Sequence, residues 1–327
     1  MGDTAGIGGE ADVVALRPHA SFVRSPAASA SCFVAADVGG TNARIALVQA
    51  EGERIEILDY RRYPCSQYPS LTAILSDFTG RQLDAGQPRA AFERMAIASA
   101  GVVLDGEVIN SNLPWRISLQ DLRDTLGLHE LHVINDFAAA AHGTQRLDPA
   151  ESRLLTPCVS VAEAGPALVV GPGTGLGAAV CIPHPRGTVV LPTEAGMTAF
   201  APGTEREVEI LRWMQRHGTR HVSTEQLVSG PGLVNLYQAL CELESARALL
   251  REPAAISQSA LAGDPMALEA VLTFCALLGS VIGDLAVLSG ARAVHVAGGI
   301  VPQLVDFLPR SDFRARLVDK GAMRAVL

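Results

Sequence analysis

The chain has 327 residues, 48% of them apolar and 18% charged, with a formal charge of −8. That apolar share supports a sizeable core and excludes global disorder, and the length suits two domains or one large one. The acidic balance offers no basic face of the kind a nucleic-acid binder carries, so no nucleic-acid partner is expected.

Six cysteines (Cys32, Cys65, Cys158, Cys181, Cys241 and Cys275) are scattered without a C-x-x-C pair. They read as buried free thiols in a reducing compartment, not as a disulfide framework. The eight histidines form no H-x-x-x-H or Cys/His cluster, which argues against a structural zinc site. Residues 1–31 hold Gly, Ala, Ser and Pro but no apolar stretch of signal-peptide length, and read as a flexible extension. The longest uncharged apolar run, 270–283, is shorter than a bilayer span and is followed by Asp284; it reads as a buried core helix. A soluble, cytoplasmic protein with no membrane partner is expected.

In chain order, 33–36 and 44–48 read as strands joined by a glycine turn, and 54–58 alternates as a third strand. Residues 71–78 suit a short helix, 95–100 and 102–108 strands around Gly101, and 119–126 a helix. The strand 131–134 ends abruptly at Asn135-Asp136, and 137–142 opens a helix. This order implies an α/β layered domain. After a crossing tract at 148–165 the pattern repeats coarsely. Strands at 167–170 and 178–182 flank a glycine turn at 171–177, long helices follow, and a strand at 293–297 ends in Gly298-Gly299. Two domains are expected, 32–147 and 148–327. Thr204 with Glu207 and Ser223 with Gln226 fit capping boxes, and Asp264-Pro265 fits an N-cap with proline at the first helical position. Residues 205–215 have apolar positions at helical spacing.

Three places carry chemistry. The turn Gly39-Gly40-Thr41-Asn42 offers glycines that admit close approach, and its N–H groups and side chains suit a phosphate. An ordinary hairpin turn favours the same residues. Asp37 beside it distinguishes the two readings. A carboxylate next to a phosphate is repulsive unless a cation lies between, so Asp37 suits an anchor for hydrated Mg²⁺, the alternative being an aspartate bonded to its own turn. The second turn, V-V-G-P-G-T-G-L-G at 169–177, is no P-loop, because no Gly-Lys-Ser/Thr follows. Two such hairpins from two domains could grip a polyphosphate from opposite sides. Third, Asn135-Asp136 lies where a buried strand gives way to a helix, the place where open α/β sheets bind ligands. An aspartate there suits a base for a substrate hydroxyl with asparagine fixing that hydroxyl; alternatively Asp136 caps the helix. Asn112 in N-L-P-W, Glu194 in L-P-T-E-A-G-M and Glu225 in a first helical turn add amides and carboxylates of the kind that bind sugar hydroxyls in pairs.

The chain resembles the bacterial glucokinase family of the wider sugar kinase, Hsp70 and actin superfamily. The resemblance rests on D-V-G-G-T-N-A-R at 37–44, I-N-D-F at 134–137, G-T-G-L-G at 173–177, L-V-S-G-P-G-L-V-N-L-Y at 227–237 and A-G-G-I-V-P at 297–302, in family order. It implies an α/β fold of two ribonuclease H-like domains around a cleft, the actin-like ATPase fold, and ATP-dependent transfer to the 6-hydroxyl of glucose or a related hexose. By match, Asp37, Val38, Gly39, Gly40, Thr41 and Asn42 form the first phosphate turn, with Asp37 toward magnesium. Gly173, Thr174 and Gly175 lie in the second turn, and Gly298 and Gly299 near the adenosine. Asn112, Asn135, Glu194 and Glu225 fall at sugar positions and Asp136 at the catalytic base. The resemblance leaves a homodimer open.

Two departures stand out. The family's G-E-G-G-H loop reads T-E-A-G-M here, so Met197 replaces a histidine, and a thioether donates no hydrogen bond. A different hexose, an amino sugar, or a sugar-sensing role are the alternatives this raises. The family also continues with a strand and a helix returning to the first domain, and that segment is expected to be missing after Leu327. A general ATPase of the actin type fits less well, because the paired sugar-binding residues are present.

Overall fold

In a computed structural model, residues 31–52, 54–109, 113–147, 152–156, 165–325 and 327 are described. Asn112, Cys158 and most of the 148–165 tract therefore lie outside the described residues, as does the 1–30 stretch.

The first sheet is built from β1 (Ser31–Val38), β2 (Asn42–Glu51), β3 (Arg54–Pro64), β4 (Arg94–Ser99) and the later β8 (Glu130–Asn135). Its order is β3-β2-β1-β4-β8. The first three strands are an antiparallel meander, and β4 and β8 add parallel to β1. Strand alternation puts Val34, Ala36, Val38, Ile45, Leu47, Met95 and Ile97 into one core. Helix α1 (Leu71–Asp84) covers it with Leu71, Ile74, Leu75 and Phe78, the i, i+3, i+4, i+7 stripe, after Ser70 caps Ala73 N–H at 3.1 Å. Helix α1 runs past the expected 71–78 to Asp84. Helix α2 (Leu119–Leu126) ends at Gly127 in the left-handed region, φ 66°.

The run expected as one strand at 102–108 is instead a hairpin. β5 (Val102–Leu104) and β6 (Glu107–Ile109) are joined by Asp105 and Gly106 at φ 50° and 81°, and β7 (Ile117–Ser118) completes a small third sheet. Asp-Gly is the residue pair that tolerates two positive φ values in succession.

The second sheet repeats the plan. β9 (Ala167–Pro172), β10 (Leu176–His184) and β11 (Gly187–Thr193) form an antiparallel meander, and β12 (Ala293–Val296) adds parallel to β9, in the order β11-β10-β9-β12. Strand β11 was not expected from the sequence. Its core is shared by α4 (Glu205–Arg216), α5 (Gly230–Leu243), α6 (Pro253–Leu261), the long α7 (Pro265–Ser289), α8 (Val301–Leu304) and α9 (Phe313–Val318). Asp264 caps α7 through Ala267 N–H at 2.7 Å, and Gly290 ends it at φ 62°. At 25 residues α7 is long and apolar enough to cross a bilayer by length and composition. Yet Ala270, Val271, Phe274, Cys275, Leu278 and Ile282 are buried in the second core, which makes it a core helix.

Both expected capping residues are in place. Thr204 accepts from Glu207 N–H at 3.2 Å, and Gln226 reaches back to Ser223 N–H at 2.9 Å. Glu207 does not close its box. Its buried carboxylate takes Gly203 N–H at 2.6 Å and a two-pronged ion pair with Arg316 at 3.0 Å on each oxygen, because a buried guanidinium is the stronger partner. Cys65, Cys181, Cys241 and Cys275 are buried free thiols and Cys32 is half-buried.

Among the described residues, one helix bridges the two sheets. Helix α3 (Asp136–Thr144) starts at the end of β8 in the first sheet but packs on the second, with Ala141 buried against Val169, Ala179 and Cys181. Phe137 lies over Gly177 at the start of β10, where any side chain would fall inside its ring. Gly177→Ala is therefore expected to cost about 1–3 kcal/mol in urea denaturation. Phe137→Leu in the same background should recover part of that loss. A Gly177→Ala protein as stable as its parent would contradict this packing.

Candidate active site

The carboxyl ends of three parallel strands line up. Asp37 of β1 stands in register with Ala98 of β4 and then Ile134 of β8, and Val38 with Ser99 and Asn135. Asp37 and the Asn135-Asp136 pair thus share one edge of the first sheet, the edge at which such sheets bind ligands. The first turn is closed by Gly39 N–H on the Asn42 carbonyl at 3.0 Å. Asp37 emerges at its base, about half exposed, with Arg44 Nη1 at 2.5 Å from Oδ2. Arg44 lies inside the D-V-G-G-T-N-A-R stretch, but sequence reasoning gave it no role; only the β1–β2 register shows that it faces Asp37.

Asn135, not Asp136, caps α3. Its Oδ1 accepts from Phe137 N–H at 2.9 Å and Ala138 N–H at 3.1 Å. Asp136 occupies the first helical position, so the cap reading passes to its neighbour, and the Asp136 Oδ1 shares the Phe137 N–H with Asn135 at 2.9 Å. Burial, and after it the charge of Asp37, pushes the Asp136 carboxyl above the ordinary carboxylate value, partly opposed by Phe137 N–H.

From the second sheet comes the other glycine turn. Gly173 N–H donates to Gly175 O at 2.7 Å, and Gly230 N–H, at the start of α5, donates to Gly173 O at 2.8 Å. The Cα of Gly173 faces open space, while Gly175 has none to spare, because Glu225 presses on it. Glu225 Oε2 accepts from Leu176 N–H at 3.0 Å, just past the turn. This contact spans 49 residues and had no sequence signal. Glu194 precedes a short turn in which Met197 N–H donates to Glu194 O at 2.9 Å. Partial desolvation first, then the charges of Glu225 and Asp136, raises the Glu194 carboxyl. Asp37, Asp136, Glu194 and Glu225 therefore act on one another electrostatically from both sheets. Met197 is 49% exposed, and its carbonyl contacts His221 Nε2 at 2.9 Å.

Gly298 follows β12 at φ 88°, with the Pro172 carbonyl against its Cα, and Gly171 has the Ala297 carbonyl against it in turn. These close approaches bring the ends of β9 and β12 together beside the second turn, and Gly299 faces open space. Asn112 lies outside the described residues.

The arrangement suits a cation shared with a ligand. Among the described residues no group of three or more His, Cys, Asp or Glu could hold a metal alone. Magnesium is commonly held by one or two carboxylates plus substrate phosphates, and a half-exposed Asp37 beside a second carboxylate fits that donor set.

A family model described as Glucokinase matches residues 34–327. A glucokinase of Chromobacterium violaceum is 41% identical over 295 residues, covering 89% of this chain and 81% of that one. A glucokinase-like protein of Xylella fastidiosa is 44% identical over 301 residues, covering 90% and 87%. The crystal structure of a glucokinase from an Antarctic psychrotroph superposes with a TM-score of 0.75 at 32% identity, covering 90% and 91%. With two ribonuclease H-like halves, paired glycine turns and these relatives, the chain belongs to the glucokinase family and is a sugar kinase of the actin-like ATPase fold.

Proposed function

We propose that the chain transfers the terminal phosphoryl group of ATP to the 6-hydroxyl of a hexose, glucose first among them, with Asp136 as the base. One observation carries this reading above the others. Asp136 is half-buried and raised above the ordinary carboxylate value, Asn135 caps the helix, and Glu194 of the second half lies within electrostatic reach of it. A base whose affinity for protons lies nearer the working pH takes a hydroxyl proton more effectively.

In this reading residues 32–147 carry the first phosphate turn, Asp37 to Asn42, and the base. Residues 148–327 carry the second turn, Gly173 to Gly175, and the adenosine side at Gly298 and Gly299. Asn112, Asn135, Glu194 and Glu225 hold the sugar hydroxyls. The second oxygen of Glu225 serves the sugar, since Oε2 is held by Leu176 N–H. Mg²⁺, when bound, would supply positive charge to the phosphate oxygens, and Asp37 would hold it. Asp136 accepts the hydroxyl proton and the glycine turns orient the phosphates, so acceleration comes from positioning and electrostatics. Approach of the two halves excludes water, the competing acceptor. The cytoplasm, where ATP and free hexose meet at the head of glycolysis, is the compartment this activity needs.

Met197 favours a second reading of the substrate. Its exposed thioether stands where the family's histidine would meet a sugar hydroxyl, which suits a different hexose or an amino sugar, or a sensor without turnover. ADP release with Mg²⁺-ATP across glucose, mannose, fructose and glucosamine decides between them. Glucose is expected to give the highest kcat/KM, with the product phosphorylated at O6. Met197→His should lower the glucose KM roughly 5- to 150-fold, the range for one hydrogen bond restored to a hydroxyl. Preference for another sugar by both proteins would overturn the glucose assignment.

A second prediction follows from the raised Asp136 carboxyl. A folded-state pKa above the unfolded one means that the ionised form destabilises the fold. That penalty is absent below the unfolded value and complete above the folded one. Asp136→Asn is therefore expected to raise the Tm of the ligand-free protein by about 1–3 °C near neutral pH, fading toward about pH 4. A Tm lowered equally at both pH values would mean that the carboxylate is structural.

A further inference from the structure

Cys65 opens a short turn, Cys65–Gln67, immediately after β3, and it is fully buried. Its three polar groups are all engaged. The backbone N–H donates to the Thr41 carbonyl at 2.9 Å, and the thiol donates to the Gly39 carbonyl at 3.4 Å, an ordinary sulfur–oxygen separation. Its own carbonyl accepts from the Trp115 indole N–H at 3.3 Å, which also reaches the Tyr68 carbonyl at 3.1 Å. Burial pushes the thiol up, so it stays a donor.

The first two bonds draw two carbonyl oxygens of the glycine turn into the protein. A carbonyl aimed at the mouth of the turn would repel a phosphate, whereas N–H groups attract it. The third bond fastens the loop after residue 112 to the same residue. Trp115 also packs on the first-sheet core, so this loop is anchored at both ends of the indole.

We infer that the Cys65–Gln67 turn is a strut that fixes the first glycine turn relative to the Trp115 loop and so couples nucleotide binding to sugar binding. Cys65 and Trp115 are then positioning residues that touch neither ligand. The inference rests on reading residues 39–42 as a phosphate turn and Asn112, three residues before Trp115, as a sugar residue.

The test is calorimetric titration of the full chain with Mg²⁺-ADP, with and without saturating glucose, alongside Tm. Wild type, Cys65→Ala, Cys65→Ser and Trp115→Phe are compared. Cys65→Ala is expected to weaken Mg²⁺-ADP binding about 3- to 10-fold, the range for one hydrogen bond, and Cys65→Ser to return it to within about twofold. Trp115→Phe keeps the ring and loses the donor. It should leave sugar-free ADP affinity within about twofold of wild type and abolish the gain that glucose gives. Should Cys65→Ala not fold, Cys65→Val keeps the volume without the donor and replaces it. Wild-type ADP affinity in the alanine or valine variant, a serine variant as weak as alanine, or no effect of glucose on ADP affinity in the wild type would each overturn the strut. A wild type that binds ADP with glucose-enhanced affinity but phosphorylates no sugar would sink the kinase reading alone. A wild type that binds no nucleotide would sink both.

Discussion

Phe137 lying over Gly177 is the contact on which the site depends. Without it, α3 would belong to the first sheet that precedes it, and Asp136 would have no fixed relation to the second glycine turn. Because Gly177 has no side chain, the aromatic ring seats directly on β10, and the buried face at Ala141 holds the rest of the helix there. Asn135 then ends β8 and starts the helix, and the neighbouring carboxylate shares one of the two N–H groups that Asn135 accepts from.

The electrostatics follow from that placement. Four carboxylates converge from two sheets, and burial raises two of them. Arg44 offsets part of this charge at Asp37, but the concentration of acid destabilises the empty protein. A fold selected for stability alone would replace these residues with amides. Their presence is the expected signature of a site tuned for a cation and hydroxyl-bearing ligands at the expense of the fold.

Local signals in the sequence were faithful. The caps at Ser223 and Asp264, the glycine turns and the stripe of α1 depend on neighbours within a few positions, so the chain spells them out. The Asp105-Gly106 turn is equally local, but apolar runs flank it on both sides, 102–104 and 108–109, and read as one strand through it. Strand β11 is hidden because its residues, G-T-V-V-L-P-T, show no apolar–polar alternation and include a proline, although its burial does alternate. The contacts that assemble the site are of a different kind. Glu225 with Leu176, Phe137 with Gly177 and Cys65 with Gly39 join residues tens of positions apart, and no periodicity or spacing encodes such pairs. The residues themselves were legible. What holds each of them is not, and the cap alternative at Asp136 falls one residue past the true cap, Asn135, because Asn and Asp are equally good caps in sequence.

The most direct test of the account is single-turnover phosphoryl transfer from Mg²⁺-ATP to glucose by rapid quench, comparing wild type with Asp136→Asn, with glucose affinity measured on the same samples. The account predicts transfer slowed by roughly 10²- to 10⁴-fold, the usual worth of a general base, with the glucose Kd changed by less than about threefold. Transfer near the wild-type rate in Asp136→Asn would contradict it.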